Sequence, residues 1–216
     1  MDPARRAREV MRILRRSYPD ARCMLDHRSP YELLVATILA AQCTDRKVNE
    51  VTASLFRKYR TPEELAGADL RTLEREIRAT GFFRQKAKSV MGCCEAIARK
   101  HGGRVPGTME EMLELPGVGR KTANVVLGEC FGKPGIIVDT HFRRVAGRLG
   151  LTSNTDPDKI EADLDALVPL RDRTLFSHVI TFHGRQICEA RKPKCGQCPV
   201  SRLCDFFAVH KPGGSA

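Results

Sequence analysis

Four cysteines, Cys188, Cys195, Cys198 and Cys204, fall within 17 residues, spaced C-x6-C-x2-C-x5-C and interleaved with Pro193, Gly196 and Pro199. Proline and glycine at that density exclude regular helix, and four thiolates converge there. The chain carries nine cysteines in all. An odd count does not close into a disulfide framework, and the opening MDPARRAREV shows no secretory or transit pattern, with acids at Asp2 and Glu9 and no serine. Metal binding is therefore the first reading of the loop. Structural zinc sites favour two close cysteine pairs, whereas this loop has one C-x2-C flanked by longer arms. Four thiolates serve zinc and iron–sulfur sites alike, and spacing leaves both open. Cys23, Cys43, Cys93, Cys94 and Cys130 lie singly or as a pair among helical patterns and read as small buried hydrophobes.

Outside that loop the pattern is helical almost throughout. Apolar residues at helical spacing predict about ten helices joined by short connections. Residues 4–17 are amphipathic, 31–41 largely apolar, and Asp45 is the expected N-cap of 46–59. Thr61-Pro62-Glu63-Glu64 and Thr108 with Glu111 read as capping boxes, Asp69 starts a helix closed by Gly81, and a long helix spans about 84–100. Only Ile136-Ile137-Val138 resembles strand, and three residues do not make a sheet. The fold class is all-α, and Lys211–Ala216 reads as a disordered tail. A content of 42% hydrophobic and 29% charged residues excludes disordered and collagen-like classes. The longest apolar run, Leu33–Ala41, is far short of the ~20 residues of a spanning helix. A formal charge of +11 points to a polyanionic partner, nucleic acid before an anionic membrane.

Leu115-Pro116-Gly117-Val118-Gly119-Arg120-Lys121-Thr122-Ala123 sits between two helical patterns. Pro116 ends the first helix, and Gly117 and Gly119 permit a tight turn with positive φ that exposes backbone N–H groups. Those groups, followed by a helix N-terminus and flanked by Arg120 and Lys121, suit a DNA phosphate. An ordinary turn between helices is the plainer alternative.

The hairpin LPGVGRKTA, the downstream Val138-Asp139-Thr140-His141, the early Ala41-Gln42-Cys43-Thr44-Asp45 and the cysteine loop, in that arrangement, resemble the endonuclease III branch of the helix-hairpin-helix DNA glycosylases over roughly residues 25–205. The resemblance implies a two-lobed enzyme with duplex DNA in the cleft, one helical domain at 23–133 and a second formed by 1–22 and 134–216, with the cluster loop at 188–204. It implies a [4Fe–4S] cluster on Cys188, Cys195, Cys198 and Cys204, with no nicotinamide, nucleotide or free metal ion. Lys121 takes the place of the nucleophile that attacks the deoxyribose C1′, and a helix N-terminus with burial against a flipped nucleotide disfavours its ammonium form. Asp139, locally an N-cap, matches the aspartate that stabilises charge developing at C1′.

By the same resemblance Gln42 plugs the duplex opposite the estranged base and Phe82, after Gly81, wedges from the other side. The best-known members carry leucine at that wedge, and Ala40 and Ala41 stand where serine is common. Adenine-specific relatives that keep the cluster replace the lysine, so Lys121 indicates the bifunctional branch. Arg191-Lys192-Pro193-Lys194, with Lys192 at its centre, is a second candidate phosphate clamp, and His141 a further phosphate contact; lone histidines such as His178 and His183 read as structural. The implied activity is removal of oxidised pyrimidines from double-stranded DNA with nicking at the abasic site. The chain is expected to act as a monomer in a cytoplasm, on a bacterial or archaeal-type nucleoid, without membrane contact. Competing readings are a DNA-binding module that keeps the hairpin and cluster without chemistry, a glycosylase of different lesion preference, and a membrane surface binder acting through residues 4–17.

Overall fold

A computed structural model describes residues 1–210; the tail expectation at Lys211–Ala216 lies outside the described residues. Among them are twelve α-helices and no strand. The helices are α1 (Pro3–Ser17), α2 (Pro30–Leu39), α3 (Asp45–Lys58), α4 (Pro62–Ala66), α5 (Leu70–Glu76), α6 (Phe83–His101), α7 (Met109–Leu113), α8 (Arg120–Cys130), α9 (Thr140–Arg148), α10 (Pro157–Leu167), α11 (Arg173–Gln186) and α12 (Asp205–Val209). Ile136–Val138 pairs with no strand. The Ile137 N–H donates instead to the Ser177 hydroxyl at 2.9 Å, which satisfies a buried backbone donor by a side chain.

Local side-chain oxygens set most helix starts. Asp2, Ser29, Thr61, Asp69, Thr108, Asp139 and Asp156 each accept a first-turn N–H. The expected cap at Asp45 is corrected by one residue: Thr44 accepts from Lys47 N, and Asp45 is the first helical residue, where its carboxylate still favours the N-terminal dipole. Ser29 with Glu32 forms a capping box that closes on Arg28 N at 2.7 Å. No helix of the described residues is long and apolar enough to cross a membrane.

The chain divides into two compact units, Met24–Lys133 and a second made of Met1–Cys23 with the segment from Pro134 onward. In the first, α2 is the central element, with every residue from Tyr31 to Leu39 except Glu32 buried. It packs on α3, α6 and α8, while α4 and α5 lie along α6. In the second, α1 packs on α10 and α11, and α9 on α11, around Val10, Leu14, Phe142, Ile160, Phe176 and Ile180. Phe142 and Phe176 meet edge to face with centroids 6.1 Å apart. Of the five cysteines expected as core, only Cys93 and Cys94 are buried. Cys23, Cys43 and Cys130 are half-buried: Cys23 and Cys43 lie in connections between helices and Cys130 is the last residue of α8.

Candidate functional site

The hairpin joins α7 to α8. Val118 N donates to Leu115 O at 3.1 Å, which closes the turn, and Leu115 and Val118 are buried beneath it. Gly117 has φ +76°, and a Cβ there would stand 2.7 Å from the Ser89 Cβ, so this glycine is demanded by backbone and by space. The positive φ of the turn falls on Gly117 alone: Gly119 has φ −107° and ψ 176°, an ordinary extended N-cap, and a Cβ added there would meet nothing within 4 Å. Nothing inside the fold asks for glycine at 119. A bare Cα there lets another backbone come close and leaves the start of α8 without a side-chain acceptor. Lys121, exposed, is the second residue of α8. The turn is seated on α6, where Ser89 lies under Gly117 and Gly92 faces the Pro116 ring.

In the same unit, the two non-glycine residues with positive φ among those described are Gln42 (φ 53°) and Phe82 (φ 46°). A side chain in the left-handed region costs about 1–3 kcal/mol and persists only where the surroundings enforce it. Both side chains point to solvent; Phe82, at 66% exposure, is the most exposed aromatic ring of the described residues. Neither feature serves the core. Gln42 lies two residues beyond the C-cap of α2, and Phe82 directly precedes α6.

In the other unit, Asp139 caps α9: its Oδ1 accepts from Phe142 N at 2.6 Å. His141, half-buried, follows in the first turn, with Nδ1 3.2 Å from Arg144 Nη2. The cysteine loop packs on the far end of α9. Cys188, Cys195, Cys198 and Cys204 line one cavity, with Val145 and Leu149 behind them. Four thiols converging on one cavity are the donor set that an iron–sulfur cluster uses. Burial pushes the Cys198 thiol up to about 11 and raises that of Cys204, so these sulfurs need a metal to hold them as thiolates.

Residues 35–170 match the HhH-GPD superfamily base excision DNA repair protein family, and residues 188–204 match the iron–sulfur binding domain of endonuclease III. Endonuclease III of Synechocystis sp. is 52% identical over 200 residues, covering 92% of this chain and 91% of the relative. The chain belongs to the endonuclease III family. Endonuclease III of Bacillus subtilis is 44% identical over 188 residues, 87% of this chain and 86% of that one. A non-covalent endonuclease III–DNA complex superposes with TM-score 0.92 at 41% identity, covering 97% and 98% of the two chains. Endonuclease III trapped in a covalent intermediate with DNA, an estranged-adenine complex, gives TM-score 0.92 at 41% identity over 97% and 99%.

As an endonuclease III family member the chain takes a [4Fe–4S] cluster in the cysteine loop. Sequence reasoning missed the residues that hold this loop. Arg148 Nη1 donates to Cys188 Sγ at 3.3 Å and to Glu189 O at 2.7 Å, its Nη2 donates to Ala190 O at 2.8 Å, and its guanidinium lies 4.6 Å from the Phe206 ring centroid. Arg144 donates to Cys188 O and Gly184 O. The only signal is two arginines one turn apart on α9, indistinguishable in sequence from a solvated face. His183 is buried, and burial pulls its imidazole down to about 4; its Nδ1 lies 3.0 Å from the Tyr18 hydroxyl oxygen and its Nε2 3.5 Å from Cys198 Sγ, so the ring bridges α1 to the cysteine loop. Lys194, expected as one of three loop cations for phosphate, is exposed like Arg191 and Lys192, and its Nζ lies 2.8 Å from Glu189 Oε1 and donates to Gln186 O, at the end of α11, at 3.0 Å.

Proposed function

We propose that this chain is a bifunctional DNA glycosylase and abasic-site lyase that removes oxidised pyrimidines from duplex DNA, working in a bacterial-type cytoplasm. Membership of the endonuclease III family supports the reaction class, and the observation that carries it in this chain is Lys121, an exposed amine in the first turn of α8 directly behind the hairpin. Phosphate oxygens take the N–H groups at Gly119 and the start of α8, with Arg120, Lys192 and His141 adding charge along the backbone. Gln42 and Phe82, presented outward on strained backbone, fill the space left when the damaged nucleotide is extruded, at a cost of a few kcal/mol that damage reduces.

Lys121 Nζ, as the neutral amine, attacks C1′; the C1′–Nζ bond forms, the glycosidic C–N bond breaks, and the base leaves with a proton. Asp139 supplies a carboxylate to the positive charge that develops at C1′. The C1′–O4′ bond then breaks as O4′ takes a proton and Nζ forms the protonated imine with C1′; loss of the C2′ proton drives cleavage of the C3′–O bond with release of the 3′ phosphate, and water hydrolyses the imine to return Lys121. Cys188, Cys195, Cys198 and Cys204 hold the cluster, which supplies a rigid metal-stapled fold for the loop. No step of the reaction runs through it.

Borohydride reduction during incubation with a duplex bearing one thymine glycol tests the assignment. Wild type becomes covalently attached to DNA and Lys121→Ala does not. Full trapping by Lys121→Ala removes Lys121 as the nucleophile, and DNA binding without trapping by wild type leaves only a binding module.

A further inference from the structure

Lys86 is a buried lysine, 5% exposed, in the first turns of α6. Its position is electrostatically poor: a cation near a helix N-terminus, out of water. Burial lowers its ammonium from the usual 10.5. Such a group persists where its donors are used, and here two are. Nζ donates to Leu39 O at 2.8 Å and to Thr80 O at 2.7 Å.

These carbonyls are not arbitrary. Leu39 is the last residue of α2, and Thr80 is the last of a 3-10 turn at Arg78–Thr80, so one ammonium caps the C-terminal ends of two helical elements, where orphan carbonyls carry partial negative charge. Three residues after Leu39 stands Gln42, and two after Thr80 stands Phe82, the pair with positive φ. Phe82 O in turn accepts from Lys86 N at 3.1 Å, which ties the wedge to the same residue by backbone. One turn further along α6, Ser89 lies beneath Gly117 of the hairpin. Lys86 is thus the point where both outward tips are fastened to the helix that seats the hairpin.

We propose that Lys86 is a positioning residue that locks the Gln42 and Phe82 tips in one mutual register, so that both enter the duplex together when the damaged nucleotide leaves it. The proposal rests on the reading of Gln42 and Phe82 as the gap-filling pair. It adds that their cooperation is built into the free protein through one ammonium. Methionine at 86 keeps the stem and removes the head, which frees two carbonyls and lets the tips move independently.

The test is a mutant cycle on full-length protein with two DNA probes: a duplex carrying one thymine glycol, and a single-stranded oligonucleotide carrying an abasic aldehyde, which needs Lys121 but no gap filling. Lys86→Met is made in the native chain and in a Gln42→Ala/Phe82→Ala background. Single-turnover cleavage of the duplex falls by about 10- to 100-fold in the native background and by less than about threefold where the tips are already gone, since residues acting through one another are non-additive. Borohydride trapping on the single strand changes by less than about threefold. Equal losses in both backgrounds, or no loss on the duplex, overturn the proposal. If Gln42→Ala/Phe82→Ala with Lys86 intact cleaves the duplex as wild type does, the gap-filling reading itself is wrong and the proposal falls with it, a result distinguishable because it does not involve Lys86. Thermal melting checks that Lys86→Met is folded; where it is not, Lys86→Gln, which keeps a shorter N–H donor, carries the same cycle with the same criteria.

Discussion

Asp139→Asn changes a charge while keeping the shape and the capping acceptor of the side chain. Asp139 Oδ1 accepts from Phe142 N at 2.6 Å, and α9 presents Phe142, Val145 and Ala146 to the core, so the cap supports a helix whose burial matters. Losing the cap altogether, as in Asp139→Ala, costs ~1 kcal/mol, within a range of about 0.5–2. Asparagine caps as well as aspartate and forfeits only the charge at the helix N-terminus, about 0.3–1 kcal/mol for an exposed group. At about 2–4 °C per kcal/mol for a chain of this size, alanine at ~1 kcal/mol lowers the melting temperature by roughly 2–4 °C and asparagine by about 1–4 °C. Catalysis ranks the variants differently. A carboxylate about 4 Å from a developing cation is worth ~4 kcal/mol at an effective dielectric of about 20, which is roughly a thousandfold in rate. Both variants therefore lose about 100- to 1000-fold in single-turnover excision, though one is nearly as stable as wild type. Affinity for undamaged duplex stays level or rises slightly, because a negative charge has gone. Melting scans beside single-turnover cleavage of a thymine glycol duplex decide it. Excision by Asp139→Asn within about threefold of wild type would refute the electrostatic role and leave Asp139 as a helix cap alone.

The two hairpin glycines should part company. Gly117→Ala combines φ +76° with a contact of 2.7 Å to Ser89 and loses about 1–3 kcal/mol of stability in denaturant unfolding, whereas Gly119→Ala meets nothing and stays within about 1 kcal/mol while duplex affinity falls at least tenfold. Equal destabilisation by both would show that Gly119 serves the fold. Arg148→Met removes the donor to Cys188 Sγ and the ties to Glu189 O and Ala190 O; the purified protein should lose visible iron–sulfur absorption several-fold faster under chelator, and unchanged retention would reject that role. Lys86 gives a pH signature. Its folded value lies below 10.5, so as pH rises the native chain releases this proton before the unfolded chain does. In that interval the unfolded state binds more protons, and stability from this site climbs with pH: the penalty of the buried charge is full at neutral pH and is relieved as pH passes through the folded value toward 10.5. The stability of wild type relative to Lys86→Met, from urea unfolding across alkaline pH, should rise over that window, and a flat difference contradicts it.

Features that act over a few residues are legible in the sequence. Thr61, Asp69 and Thr108 cap the helices they are expected to cap, because an N-cap oxygen reaches an N–H only three residues on. The Thr44 and Asp45 ambiguity follows from the same locality: both carry an acceptor, and only the backbone angles of the folded chain choose between them. Cys188, Cys195, Cys198 and Cys204 announce a metal loop by composition alone, and their shared cavity agrees with it. The partners of Lys194, Glu189 and the Gln186 carbonyl, are not legible in the sequence, because they are set by how the loop folds back. Gln42 and Phe82 carry no sequence mark of positive φ, since the strain is imposed from outside the residue.

The sequence by itself determined the all-α class, the hairpin with Lys121 behind it, Asp139 ahead of its helix and four thiols in one irregular loop. Each is a matter of periodicity, capping or spacing, forces that fall off within a turn or two of chain. Tertiary structure alone decided that Gly117 and not Gly119 is conformationally required, that Arg148 clamps the cysteine loop from 40 residues away, and that Lys86 joins a carbonyl 47 residues distant to one six residues distant. Backbone carbonyls are the same at every residue and leave no trace in a sequence, so a side chain that answers to them is visible only once the chain has brought them together.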